Sequence, residues 1–180
     1  MKIGFDLDKI FVDYPPLIPD ALIDRLYKRK TKNELIYRIP SRPEQLLRQL
    51  SHYHGFRAPI TDNITFLHSL PKKKYTLFLI SSRFGFLEKQ TFSLLKTIGI
   101  DKMFRGMYFN FSNEQPHLFK ERILRELALD LYVDDDLQLL EYVSKMNKGT
   151  KFFWLHNGVK VKSPDKIISI NHLTDLSKYL

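Results

Sequence analysis

Short runs of consecutive apolar residues, each closed by polar ones, alternate along this chain with stretches of helical period. Ile3-Gly-Phe5, Tyr75 to Ile80, Met107 to Phe111, Leu131-Tyr-Val133, Phe152 to Leu155 and Ile167 to Ile170 read as strands. Most are apolar throughout, as strands covered on both faces are. Between them, Thr61 to Leu70, Phe86 to Ile98, Pro116 to Leu127, Leu137 to Asn147 and Leu173 to Tyr179 read as helices. Gly99 stands where a C-cap is expected, and Gly149 where the fourth helix stops. Strands alternating with helices predict an α/β fold, a Rossmann-like parallel sheet with helices on both faces.

One block breaks the alternation. Asp13-Tyr-Pro-Pro-Leu-Ile-Pro19 carries three prolines, which exclude a helix interior or a sheet centre. A helix is predicted from about Asp20 to Lys30, with Leu22, Ile23 and Leu26 on one face. Ser41-Arg-Pro-Glu44 has the form of a capping box. It opens a second predicted helix, with Leu46, Leu47 and Leu50 turned inward and an end at His52-Tyr-His-Gly55. The expected organisation is a core of residues 1–12 and 58–180, interrupted by a small helical insertion at 13–57.

Composition narrows the class. An apolar content of 43% over 180 residues supports a single folded domain plus that insertion. No apolar run approaches the roughly 20 residues of a membrane span, and the opening MKIGFDLD does not have the form of a secretory signal. No membrane partner is expected. The lack of cysteine excludes disulfides, thiolate metal sites and a cysteine nucleophile, and a reducing cytoplasm is the expected location. The net charge of +9 favours anionic partners: phosphorylated metabolites, nucleotides or nucleic acid. It is concentrated between Ala21 and Arg57, where nine basic residues face three acids.

The candidate chemistry lies at strand ends. Asp6 and Asp8 follow the first strand at a spacing that directs both carboxylates the same way. Ser81 ends the second strand, and Asp134 and Asp135 follow Leu131-Tyr-Val133. Lys120 lies on the helix before them. Parallel strands share one C-terminal edge, so these groups can meet at one mouth. Carboxylates for a hard cation such as Mg²⁺, a hydroxyl and an ammonium are what phosphoryl transfer needs. Plainer roles compete: Asp6 and Asp8 could cap a turn, and the acids at 134–136 could cap the helix at Leu137, as Asp136 is expected to do. Ser82 could replace Ser81 as the donor, and Lys74, Lys89 and Lys96 are other lysines to weigh. The six histidines show no zinc spacing, and His52 and His54 read as a helix end.

The four segments Phe5-Asp6-Leu-Asp8-Lys-Ile10, Leu77-Phe-Leu-Ile-Ser81, Lys120 and Leu131-Tyr-Val-Asp134-Asp135 come in the order and spacing of a known set. In them the chain resembles the haloacid dehalogenase-like superfamily of phosphohydrolases over nearly its whole length. The resemblance implies that Asp6 is the nucleophile and Asp8 the acid and base, with Ser81 and Lys120 on the phosphoryl oxygens. It implies Mg²⁺ held by Asp6, the backbone carbonyl of Asp8, Asp134 and either directly or indirectly Asp135. It also implies that the 13–57 insertion is a cap over the leaving group, where Arg42 or Arg48 could clamp a second anion. Ser82-Arg83 followed by Thr91 is loosely similar to the deoxyribonucleotidase-like branch, which adds Ser82 and Arg83 as substrate-binding candidates. The chain departs from the family at Lys9, where glycine is common, and at Ile10, where threonine or valine is usual. Receiver domains share an Asp, Ser/Thr and Lys inventory, but they are shorter and carry the phosphorylated Asp on a mid-chain strand. The expected function is therefore a Mg²⁺-dependent phosphatase of a small anionic metabolite, with nucleotides among the candidates. The alternatives are a nucleic-acid end phosphatase and a non-catalytic phosphate- or nucleic-acid-binding module on the same fold.

Overall fold

The computed structural model describes residues 1–14, 28–30, 35–156, 158 and 164–180. Eight strands are present among them: β1 (Lys2–Phe5), β2 (Lys28–Lys30), β3 (Leu35–Tyr37), β4 (Thr76–Ser81), β5 (Gly106–Phe109), β6 (Leu131–Asp134), β7 (Lys151–Leu155) and β8 (Ile167–Ile170). Five α-helices accompany them: α1 (Arg42–Ser51), α2 (Thr61–Ser69), α3 (Glu88–Thr97), α4 (Pro116–Leu127) and α5 (Leu137–Met146). Six strands form one sheet in the order β5-β4-β1-β6-β7-β8, and every pairing in it is parallel. All six C-terminal strand ends therefore lie along one edge, with β1 near the middle.

Residue alternation divides the core into two layers. Ile3, Phe5, Leu77, Leu79, Leu131, Val133 and Phe153 face one way, against Phe66 and Leu67 of α2 and Leu94 and Leu95 of α3. Phe78, Ile80, Tyr132, Phe152 and Trp154 face the other way, against Phe119, Ile123 and Leu124 of α4 and Leu139, Leu140 and Val143 of α5. Apolar runs without alternation are what a sheet covered on both faces requires. Gly4 lies on the second face, where a Cβ would collide with Leu129.

The predicted helices of the core are found with small differences at their ends. α4 spans the predicted residues, with Pro116 in its first turn and Ala128 in the left-handed conformation that closes it (φ 47°). Gly99 follows α3 at φ 73°, its N–H bonded to the Lys96 carbonyl. Asp136 caps α5 as expected, accepting from the backbone N–H groups of Gln138 and Leu139. The closing helix is a 3₁₀ turn over Leu173–Lys178, and Gly85–Leu87 forms another ahead of α3.

The insertion differs from expectation in two ways. Lys28–Lys30 pairs antiparallel with Leu35–Tyr37, so a two-stranded ribbon stands where the first helix was predicted to reach Lys30; residues 20–27 of that prediction lie outside the described residues. α1 forms where predicted, and the Glu44 carboxylate accepts from both the N–H and the hydroxyl of Ser41. Its leucines, however, point outward: Leu46, Leu47 and Leu50 are 65–69% exposed. Periodicity located a stripe but could not say whether the core lay beneath it.

Several hydrogen bonds fix the insertion to the core. The Asp13 N–H donates to the Ala58 carbonyl, and the Ile60 N–H donates to the Phe11 carbonyl, so the chain leaves and returns through adjacent backbones. On β3, Tyr37 exchanges hydrogen bonds with the Gln115 side chain through both backbone groups, and its hydroxyl donates to Asp136 at 2.8 Å.

Candidate active site

β1 ends at Phe5, β4 at Ser81 and β6 at Asp134, and the registers Phe5↔Leu79 and Phe5↔Val133 place these ends side by side. The Asp6 N–H extends the ladder by donating to the Val133 carbonyl at 3.0 Å. Lys120, on α4, reaches this edge from the side. Its Nζ donates to Asp6 Oδ1 at 2.9 Å and to Asp134 Oδ2 at 2.6 Å. Carboxylate oxygens of Asp6, Asp134 and Asp135 all lie within 4.8 Å of one another. The predicted convergence of the first, third and fourth segments is thus realised in geometry.

Most of the cluster is buried, Asp135 only partly, and its charges do not balance among the described residues. Asp6, Asp134 and Lys120 are each at most 5% exposed. Burial pushes the Asp6 carboxyl up to about 7, with Lys120 opposing and Asp134 and Asp8 adding to the rise. Asp135 is driven well above the ordinary carboxylate range by burial and by Asp134 and Asp6. Lys120 resists the neutralising effect of burial because Asp134 and Asp6 hold its proton.

Surplus negative charge in a set of pure oxygen donors fits a hard divalent cation. Asp6, Asp134 and Asp135 are the side chains able to hold such an ion.

Asp8 is not a member of this cluster. Its Oδ1 accepts from Arg57 Nη1 at 2.7 Å and Arg83 Nη2 at 2.8 Å, and its Oδ2 from Arg83 Nε at 2.9 Å. Burial works against its charge, but Arg83 and Arg57 outweigh that and hold its carboxyl well below the usual range. Arg83 also reaches the Thr91 hydroxyl at 3.3 Å. Arg57 Nη2 meets His52 Nε2 at 2.6 Å, and burial followed by Arg57 and Arg83 keeps His52 well below its ordinary pKa. His52 therefore serves as a neutral acceptor.

The remaining candidates divide. Ser81 is buried at the β4 end, and the Ser82 hydroxyl is buried without a partner among the described residues. Arg42 is exposed on α1 and Arg48 half-buried. Among the described residues neither bonds to Asp6, Asp8, Asp134 or Asp135. Lys9 adopts φ 60° in the turn after Asp8, the conformation for which glycine is usual, and its ammonium pairs with Asp13 at 2.6 Å.

Three residues of the site were missed by sequence reasoning. Tyr132, inside an apolar strand, donates its hydroxyl to Asp134 Oδ2 at 2.7 Å. Tyr37 holds Asp136, and Arg57 holds Asp8. Tyr132 had a legible signal, since i, i+2 spacing puts it on the same face as Asp134.

Several solved structures share this fold over nearly their whole length. A predicted phosphoglycolate phosphatase from Haemophilus somnus is 19% identical, with a TM-score of 0.62 and coverage of 98% of this chain and 96% of that one. YfnB of Bacillus subtilis, a HAD-hydrolase by assignment and solved bound to magnesium, is 12% identical, with a TM-score of 0.65 and coverage of 99% and 97%. The fold is that of the haloacid dehalogenase-like hydrolases. An archaeal β-phosphoglucomutase from a Pyrococcus strain extends the likeness at 13% identity, a TM-score of 0.57 and coverage of 98% and 97%. No family model matches the chain, and no curated protein matches it in sequence. Identity this low carries the haloacid dehalogenase-like fold and leaves the chemistry to the residues. No helix among the described residues is long and apolar enough to cross a membrane.

Proposed function

We propose that this chain is a Mg²⁺-dependent phosphomonoesterase, which hydrolyses the phosphate ester of a small anionic metabolite through a phosphorylated Asp6. The observation that carries the reading is Lys120 bridging the buried Asp6 and Asp134 within a cluster of three carboxylates. Asp6 attacks phosphorus, and the ester oxygen leaves with the electron pair of the broken bond. Asp8 takes up a proton only once a guanidinium contact has opened and released its carboxyl from the depressed range. It then gives that proton to the ester oxygen and later takes one from the water that cleaves the phospho-Asp6. Both Asp8 oxygens are engaged in the geometry described, so each transfer requires one guanidinium contact to open. Lys120 and Ser81 hold the peripheral phosphoryl oxygens. Mg²⁺ held by Asp6, Asp134 and Asp135 would supply charge neutralisation on the phosphoryl group.

Residues 13–57 are proposed to act as the cap beside the leaving group, supported by the contact from Arg57 to Asp8. The likeness to a predicted phosphoglycolate phosphatase and a β-phosphoglucomutase supports small phosphorylated substrates. A cytoplasmic location belongs to the same proposal, supported by the lack of cysteine.

Phosphate release from a panel of phosphorylated metabolites, with and without Mg²⁺, tests the reading. Wild-type turnover that Asp6→Asn abolishes is the expected result; turnover unchanged by Asp6→Asn overturns it. The charge of +9 favours a second reading, a phosphatase of nucleic-acid ends. Salt-sensitive oligonucleotide binding with no turnover of mononucleotides would decide for that one.

A further inference from the structure

The three carboxylates of the proposed ion site are not held alike. Lys120 grips Asp6 and Asp134, and Asp134 also accepts from the Tyr132 hydroxyl and, at 3.0 Å, from the Asp136 N–H. The Asp135 carboxylate belongs to the same cluster but accepts no hydrogen bond among the described residues. Its direction is therefore set by its main chain.

That main chain is fixed from the neighbouring strand. The Asp135 carbonyl accepts from the Trp154 indole N–H at 2.9 Å. Trp154 lies on β7 in register with Asp134 of β6, so the bond ties the turn after one strand to the body of the next. The peptide group between Asp135 and Asp136 is held on both sides, its carbonyl by Trp154 and its N–H by Asp134 Oδ1. A peptide group is planar, so holding both of its polar atoms restricts the torsions on either side and with them the direction of the Asp135 side chain.

Trp154 is itself braced. It is buried, its ring stacks on His156 with centroids 4.1 Å apart, and His156 Nε2 meets the Ser169 hydroxyl on β8 at 2.6 Å. An indole has one donor and two side-chain torsions, so a braced ring leaves that N–H a single direction. Any buried indole N–H needs an acceptor. Here the acceptor belongs to the one acid of the cluster that has no donor on its carboxylate.

We propose that Trp154 is a positioning residue for the divalent ion: by holding the Asp135 peptide group it aims the Asp135 carboxylate at Asp6 and Asp134. The inference rests on the Mg²⁺-dependent reading above and names what organises its least supported acid. Removing an outer partner of this kind lowers metal affinity about 10–100-fold.

The test is Mg²⁺ binding without substrate, by titration calorimetry, beside the melting temperature in EDTA. Trp154→Phe keeps an aromatic ring and loses the donor, and its Mg²⁺ dissociation constant is expected to rise about tenfold or more. Replacing the Trp154 indole by benzothiophene, with sulfur in place of the N–H, keeps size and stacking and is expected to weaken the ion to the same degree. That isostere carries the test if Trp154→Phe does not fold. Val143→Ala, an apolar change in the same core layer, is expected to lower the melting temperature and leave the dissociation constant unchanged.

Unchanged Mg²⁺ affinity in the benzothiophene protein overturns the positioning role and leaves the phosphatase reading standing. A loss of affinity in Val143→Ala equal to that in Trp154→Phe also overturns it, because affinity would then follow stability and not the bond. Failure of wild type to bind Mg²⁺ overturns both.

Discussion

The Tyr132 hydroxyl donates to Asp134 Oδ2 at 2.7 Å, so the oxygen that Lys120 grips has a second fixed donor. Both residues sit on β6, on one face, two positions apart. Tyr132→Phe leaves a buried carboxylate oxygen one donor short, which costs about 1–3 kcal/mol. The orientation of Asp134 loosens with it, and the Mg²⁺ concentration for half-maximal activity is expected to rise about tenfold or more. Metal titration of activity, with thermal melts in EDTA, measures both effects.

Lys120→Ala removes the ammonium from among the carboxylates. Breaking a buried ion pair in this way costs about 3–5 kcal/mol. The expected result is a large fall in melting temperature in EDTA, recovered in part by Mg²⁺, together with a loss of turnover. A variant as stable as wild type in EDTA would contradict the charge distribution described.

The pH dependence follows from Asp6. Its pKa near 7 in the folded protein lies above the unfolded value of about 3.9. Between those values the folded state holds more protons than the unfolded one, so stability falls as pH rises from about 4 to 7. In EDTA the melting temperature is therefore expected to be lower at pH 8 than at pH 5. Asp6→Asn flattens the decline, and Mg²⁺ offsets it at pH 8.

Lys9 makes a separate, local test. At φ 60°, Lys9→Gly relieves strain but gives up the Asp13 ion pair and adds freedom to the unfolded chain. These effects oppose each other, and the net change is expected to stay within about 1 kcal/mol. Lys9→Val, β-branched in a left-handed position, loses the pair and adds strain, and should cost about 1–3 kcal/mol. Chemical denaturation of the two variants compares them directly.

Leu46→Gln or Leu50→Gln should change stability by no more than about 0.5 kcal/mol, because both side chains already face solvent. Leu94→Ala, in the core, should cost about 2–5 kcal/mol. A large loss at Leu46 would place α1 in a different packing.

Sequence reasoning succeeded where the signal was local. β1, β4 and β6 were readable because a doubly covered strand leaves an apolar run closed by the very residues that carry chemistry, such as Phe5-Asp6 and Val133-Asp134. α4 was readable because Pro116 opens it and its apolar face repeats at helical spacing. The ribbon at Lys28–Lys30 was not, since short polar strands have no periodicity of their own and form through their partner. Which way Leu46 and Leu50 point depends on what lies under α1, which no pattern within α1 encodes. Arg57 stands 49 residues from Asp8, and the bond between them exists only through the fold. Asp8 was legible as an acid, while its capture by two arginines was not.

The stitched entry and exit of the insertion, Asp13 to Ala58 and Ile60 to Phe11, have an evolutionary consequence. A segment whose two roots touch can be lengthened, shortened or exchanged at little entropic cost to the body that bears it. Under the proposed function, the scaffold that carries the acids and the piece that borders the leaving group can then diversify at separate rates. Arg57, placed at one root, carries a contact from the insertion to Asp8 without belonging to the sheet.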